Sequence, residues 1–131
     1  MRPLFAFFVG LTLLGLVACK QPDPTPVLRQ RFELLAKNIC NNQPEACVDL
    51  VDPVYVRAQG TDKVVGSFKF MVGLYKFWNV QENKVRIDEV LVLPTGQTAE
   101  VRYSLQVNGE WKPQKEPTNW RLVDGQWFLQ L

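Results

Sequence analysis

No histidine occurs anywhere in the 131 residues of this chain. That single absence removes Ser-His-Asp and Cys-His nucleophilic chemistry, imidazole general bases and the commonest metal ligand. Cysteine is scarce, at three residues, and no two of them stand in a C-x-x-C redox spacing. No glycine-rich phosphate loop is present. Charge of one sign is not in excess either: 15 basic residues face 13 acidic ones, for a net +2. Without a Lys/Arg cluster, that balance excludes a nucleic-acid binder. One long apolar run exists, Leu4 to Ala18. It falls short of the roughly 20 apolar residues a membrane span needs.

That run has the order of a secretory signal: Arg2 as the basic start, an uncharged apolar stretch, then a small residue. Its ending, Leu16-Val17-Ala18-Cys19, resembles the lipobox of bacterial lipoproteins. The resemblance implies cleavage before Cys19 and acylation of its thiol. Two or three acyl chains hold a protein at a membrane stably, whereas one is marginal. An uncleaved membrane helix or a buried N-terminal helix is the alternative. The expected organisation is a signal peptide over 1–18, a lipidated cysteine with a proline-rich linker over 19–26, and one domain over 27–131. Lys20, where inner-membrane lipoproteins commonly carry Asp, points to the outer membrane facing the periplasm. Processing removes one basic side chain, Arg2, and no acidic one.

With Cys19 assigned to lipid, Cys40 and Cys47 remain, and export places them in an oxidising compartment. They are expected to form a disulfide around a short loop, which contributes about 2.5 kcal/mol on chain-entropy grounds. Two cysteines without histidine cannot fill a zinc site, so no metal is expected.

Ahead of the domain, Gln21 to Pro26 reads as an extended proline-rich linker. Thr25-Pro26 suits a helix start, and Leu28, Phe32, Leu35 and Ile39 give one apolar face up to Cys40. Pro44 opens a second, short helix with Ala46, Cys47, Leu50 and Val51 inward, and Asp52-Pro53 interrupts it. Tyr55 to Lys63 reads as a connection. A third helix runs from Ser67 to Trp78. It is apolar over so wide an arc, with Phe70, Leu74 and Phe77 beside Phe68, Met71, Val72 and Tyr75, that burial of most of it is expected. A strand over 64–72 is the alternative there.

The period then changes from helical to alternating. Val85, Ile87, Leu91 and Leu93 roughly alternate, and Pro94-Thr95-Gly96 makes a turn. Ala99, Val101, Tyr103, Leu105 and Val107 alternate strictly with polar residues, the clearest strand of the chain. Glu110 to Pro117 reads as a polar connection carrying Trp111. Asn119–Val123 and Gln126–Leu131 flank Asp124-Gly125, a strong two-residue hairpin turn. Helices first and an antiparallel meander last predict an α+β fold, with N-terminal helices packed on a curved antiparallel sheet of about four strands.

That helix-helix-helix order over 26–78, the strands after 84 and the closing Trp120-Arg121-Leu122-Val123-Asp124-Gly125-Gln126-Trp127 hairpin resemble the nuclear-transport-factor-2-like, or ketosteroid-isomerase-like, superfamily. A cystatin-like or other helix-on-sheet fold is the alternative. The resemblance implies a cone-shaped domain with a pocket at its open end. It leaves function open, because members include enzymes, binding modules and structural domains.

Any chemistry left to this chain is carboxylate and tyrosine chemistry. Ketosteroid-isomerase-like sites pair an Asp base with Tyr and a protonated Asp. Asp88, Tyr103 and Tyr75 are the residues of those types to inspect, although none matches a family catalytic position. The bland reading makes Tyr103 a core residue and Asp88 a cross-strand partner of Arg102 or Lys84. Trp78, Trp120 and Trp127 are expected in the core. Trp111, between Glu110 and Lys112, is either an exposed binding anchor or folded back onto the sheet. The expectation is a non-catalytic, cofactor-free, lipid-anchored envelope domain that binds a protein partner or a small apolar ligand. A carboxylate-dependent isomerase or hydrolase, and an envelope assembly or immunity-type inhibitor, are the alternatives.

Overall fold

The first helix of the described residues, α1 (Thr25–Cys40), forms as its apolar spacing dictates, burying Leu28, Phe32, Leu35 and Ile39 on one face. A computed structural model describes residues 22–131. The signal segment and the acylation expected at Cys19 lie outside the described residues. At the start of α1 the capping acceptor is Asp23, whose Oδ1 receives the Thr25 amide at 3.0 Å, and Thr25 is already helical. Asn42, at φ 56°, turns the chain after the helix.

α2 (Pro44–Cys47) and a 3-10 turn over Val48–Leu50 follow, burying Cys47 and Leu50 and leaving Ala46 exposed. Val51 then makes a parallel bridge to Leu129, and the Asp52 amide donates to the Leu129 carbonyl at 2.9 Å. Asp52-Pro53 ends one helical segment and starts the next. The Asp52 carboxylate accepts the Val54 amide at 3.0 Å, and Pro53 occupies the first turn of α3 (Pro53–Gln59). Residues expected as a connection are therefore helical, because an Asp followed by Pro is also an N-cap followed by the residue best suited to N1.

Gly60, at φ 88°, joins α3 to α4 (Thr61–Phe77). This helix begins well before Ser67, which is no cap; its hydroxyl donates back to the Lys63 carbonyl at 3.3 Å. Val64, Phe68, Val72 and Tyr75 are buried. The adjoining face is not: Phe70 is 68% exposed, Phe77 83% and Trp78 40%. That corrects both the expected burial of most of this helix and the core placement of Trp78. No helix of the described residues is long and apolar enough to cross a membrane.

The sheet is antiparallel and has five strands rather than four: β1 (Val85–Val92), β2 (Thr98–Val107), β3 (Glu110–Pro113), β4 (Thr118–Val123) and β5 (Gln126–Gln130). Their order is β1-β2-β4-β5, with β3 also paired to β2. Because β1 takes one edge of β2, β3 and β4 share the other, β3 along Ser104–Val107 and β4 along Thr98–Val101. β3 was expected as loop; Asn108 (φ 52°) and Gly109 (φ 79°) instead form a tight turn that folds it back on β2. Asp124 and Gly125 do the same between β4 and β5.

In β2, Ala99, Val101 and Leu105 are buried against the helices, with Tyr103 and Val107 partly buried beside them. β1 departs from simple alternation. Its pairing to β2 shifts between Ile87 and Glu89, leaving Asp88 as the extra residue of a bulge. The bulge reverses the facing of everything after it. Val90 and Val92 therefore join the core beside Val85 and Ile87, and Leu91 is exposed. Trp120 and Trp127 are buried in the core as expected.

Candidate functional site

The helix-sheet interior is filled. Phe32 of α1 lies against Tyr103 of β2 with ring centroids 5.2 Å apart. The space they leave with Tyr75, Met71 and Thr118 measures about 20 Å³. That is room for one water at most. The residues around it include no carboxylate. Burial pushes the Tyr75 hydroxyl well above its ordinary pKa, and Tyr103 beside it adds to the rise. Burial raises Tyr103 as well, opposed by its contact with the Tyr75 hydroxyl. Both stay protonated at neutral pH and serve as core residues.

The opposite face of the sheet holds the other two residues singled out above. Asp88 and Trp111 are brought together there by Arg86. The Arg86 Nε donates to Asp88 Oδ1 at 3.0 Å, and its guanidinium carbon stands 4.6 Å from the centroid of the Trp111 ring. Ser104, wholly buried beneath them, donates its hydroxyl to Asp88 Oδ2. The strand register accounts for the cluster. Arg86 pairs with Ser104, Ser104 with Pro113, and Gln106 with Trp111, so all project from one side. The bulge adds Asp88 to that side. Its partners are thus Arg86 and Ser104, not Arg102 or Lys84; Arg102 lies 3.7 Å from Glu100 instead.

The hydrogen bond from Ser104 holds the Asp88 carboxyl below the usual carboxylate range, with Arg86 assisting and slight burial opposing. Asp88 is therefore an ionised anchor, unsuited to act as a proton donor at neutral pH. Arg86 is held by its edge on Asp88 and by its face on the indole. Its remaining N–H groups are free to meet an acceptor on another molecule. Arg86 also forms part of the rim of a groove of about 520 Å³ between α1 and β1, where Arg29 and Lys37 stand near Glu33 and Glu82. A second depression, about 570 Å³, lies between Pro22–Pro24 and the turns at Gly96 and Gly125. Among the described residues no cluster of Cys, Asp and Glu is arranged to hold a metal ion.

Arg86 escaped the sequence reading. The available signal was Arg86-x-Asp88, a spacing that places two opposite charges on one side of a strand. Trp111 folds back onto the sheet as a residue of β3 paired with Gln106, and it stays 36% exposed with the Arg86 guanidinium over its ring.

The cysteines are not part of this site and are not joined to each other. Cys40 and Cys47 are both free thiols, which corrects the expected bridge. Cys47 Sγ turns back on the Gln43 carbonyl at 3.5 Å, within its own helical turn. Cys40 lies towards Glu82 and Tyr75. Burial pushes the Cys40 thiol up to about 11, with Glu82 adding to the rise, and the Cys47 thiol up to about 12, with Glu45 adding.

No family model matches this chain, and a search of curated proteins finds no significant relative.

Proposed function

We propose that the chain is a lipid-anchored domain of the bacterial cell envelope that binds a protein partner through the Arg86–Trp111 face. In this reading Cys19 carries the lipid, the proline-rich linker spaces the domain from the outer membrane, and the domain faces the periplasm. The observation that carries the binding assignment is the arginine stacked on the exposed tryptophan and tied to Asp88. Tryptophan and arginine dominate binding energy at protein interfaces. A guanidinium already held in place loses little freedom when a partner carboxylate or carbonyl docks on it. The filled interior supports an outside surface over a small ligand held within the cone.

Two measurements test this. Fatty-acid labelling of the expressed full chain should disappear in Cys19→Ser; persistent labelling refutes the anchor. Affinity capture from envelope extracts, with wild type and Trp111→Ala compared, should lose its specific partner in the variant. An unchanged set of captured proteins refutes the binding face.

A further inference from the structure

Among the described residues, the largest exposed aromatic surface lies elsewhere, on α4. Phe70 and Phe77 point to solvent with 68% and 83% of their surface exposed, and Trp78 ends the helix 40% exposed. One turn before each phenylalanine, on the same side, stands a glycine: Gly66 before Phe70 and Gly73 before Phe77. The motif Gly-x-aromatic-Lys-Phe thus occurs twice, at 66–70 and 73–77, seven residues apart. Glycine is the poorest helix former after proline. Nothing within the fold requires it here, because a Cβ added at Gly66 or Gly73 would meet no atom within 4 Å. The face therefore carries two large knobs and two open hollows, none of them used inside one chain.

We propose that this face is the interface of a two-fold dimer, with α4 of a second copy lying antiparallel across it. The two-fold axis passes between Met71 and Val72. Phe77 of one copy then sits over Gly66 of the other, and Phe70 over Gly73, twice each by symmetry. The same operation puts Lys69 opposite Leu74 and Lys76 opposite Ser67. Lys69 and Lys76, seven residues apart and therefore on one flank of α4, are carried by the two-fold onto the same flank of the pair, so the lysines of both copies line one side and the dimer tightens as salt screens them. A two-fold contact must be self-complementary, and this residue order satisfies that condition at four positions. Glycine hollows let the helix axes approach towards the short end of the 8–10 Å range for packed helices.

The size is right for a stable pair. At about 200 Å² per aromatic residue, Phe70, Phe77 and Trp78 offer about 400 Å² of exposed surface per chain. A standard interface buries about 800 Å² per partner, somewhat over half of it apolar. This pairing is independent of the lipid anchor and of the Arg86–Trp111 face.

The test uses the full chain with Phe77 replaced by p-benzoylphenylalanine, irradiated in membranes containing a mixture of isotopically heavy and light copies. Tryptic cleavage after Lys63, Lys69 and Lys76 separates the labelled peptide from the one carrying Gly66. The expected product is a mixed heavy-light adduct joining the peptide that starts at residue 77 to the peptide 64–69. An adduct to phospholipid, to another protein or to another part of the chain overturns the proposal, as does the absence of any adduct. In parallel, Gly66→Leu and Gly73→Leu in the detergent-solubilised full chain should raise the thermal midpoint, since leucine favours helix and the space is open. Each should weaken the dimer at least tenfold in sedimentation velocity. A dimer of unchanged strength in both variants overturns the proposal.

Discussion

Arg86 stands with its guanidinium 4.6 Å above the ring of Trp111, joining the edge strand β1 to the short strand β3 across the whole width of β2. Neither residue is near the other in sequence, and neither contributes to the core. An exposed cation–π pair contributes about 0.5–1 kcal/mol. A double-mutant cycle with Arg86→Ala and Trp111→Ala, followed by urea unfolding, should return a coupling energy in that range. Zero coupling would mean the two side chains do not hold each other in solution.

Asp52 connects three elements. It caps α3 through Val54, its backbone amide meets Leu129 of β5, and its Oδ2 lies 3.0 Å from Arg121 Nε on β4. The Arg121 Nε–H is not aimed at that oxygen, so the pair is close without being a well-formed hydrogen bond. The cap is then the larger contribution. Asp52→Ala should cost about 1–2 kcal/mol, the range for loss of an N-cap acceptor. Asp52→Asn, which keeps an acceptor oxygen, should cost less than half of that by urea midpoint. Equal losses in the two variants would place the stabilisation in the ion pair.

The thiols give a pH prediction. Folded pKa values of about 11 for Cys40 and about 12 for Cys47 exceed the ordinary thiol value of 9.0. A group whose pKa is raised by folding contributes stability that is complete below the unfolded value and lost as pH climbs through the folded one. The urea midpoint should therefore be insensitive to these groups below about pH 9 and should fall between pH 9 and 12. A Cys40→Ala, Cys47→Ala double variant should show a shallower fall. Thiol titration of these two positions at pH 8 should be slow in the native protein and complete, at two thiols, after denaturation. No reactive thiol at either position after denaturation would show a disulfide.

Ser104 sets the ionisation of Asp88. The carboxyl is lowered chiefly by the serine hydroxyl, so Ser104→Ala should move the Asp88 titration, followed by carboxyl NMR, back up towards the ordinary aspartate range. Arg86→Ala should move it in the same direction by less. For a carboxylate lowered on folding, any contribution to stability is present above the unfolded pKa and lost as pH falls through the folded one. A titration unaffected by Ser104→Ala would show that the hydrogen bond is not maintained in solution.

The α1 face, the alternation of β2 and the Asp124-Gly125 turn were determined by sequence alone, because each depends only on local geometry. A helix repeats near every fourth residue, a strand repeats every second, and a two-residue turn with positive φ at both positions favours Asp-Gly. Asp52-Pro53 was visible as a boundary, yet local signals could not say whether it ended a helix or also began one. Docking of Val51 and Asp52 onto β5 decides that. The bulge at Asp88 is likewise tertiary. Register is a property of two strands, and one extra residue moves Leu91 outward and Val90 inward. Apolarity alone could not show that Phe70 and Phe77 stay in solvent, because an amphipathic pattern marks a face without naming what covers it. Spacing could not settle the cysteines either, since the direction of each thiol follows from how α1 and α2 meet. The Arg86–Trp111 pair depends on both the bulge and the β2–β3 hairpin, so only the assembled sheet could bring it together.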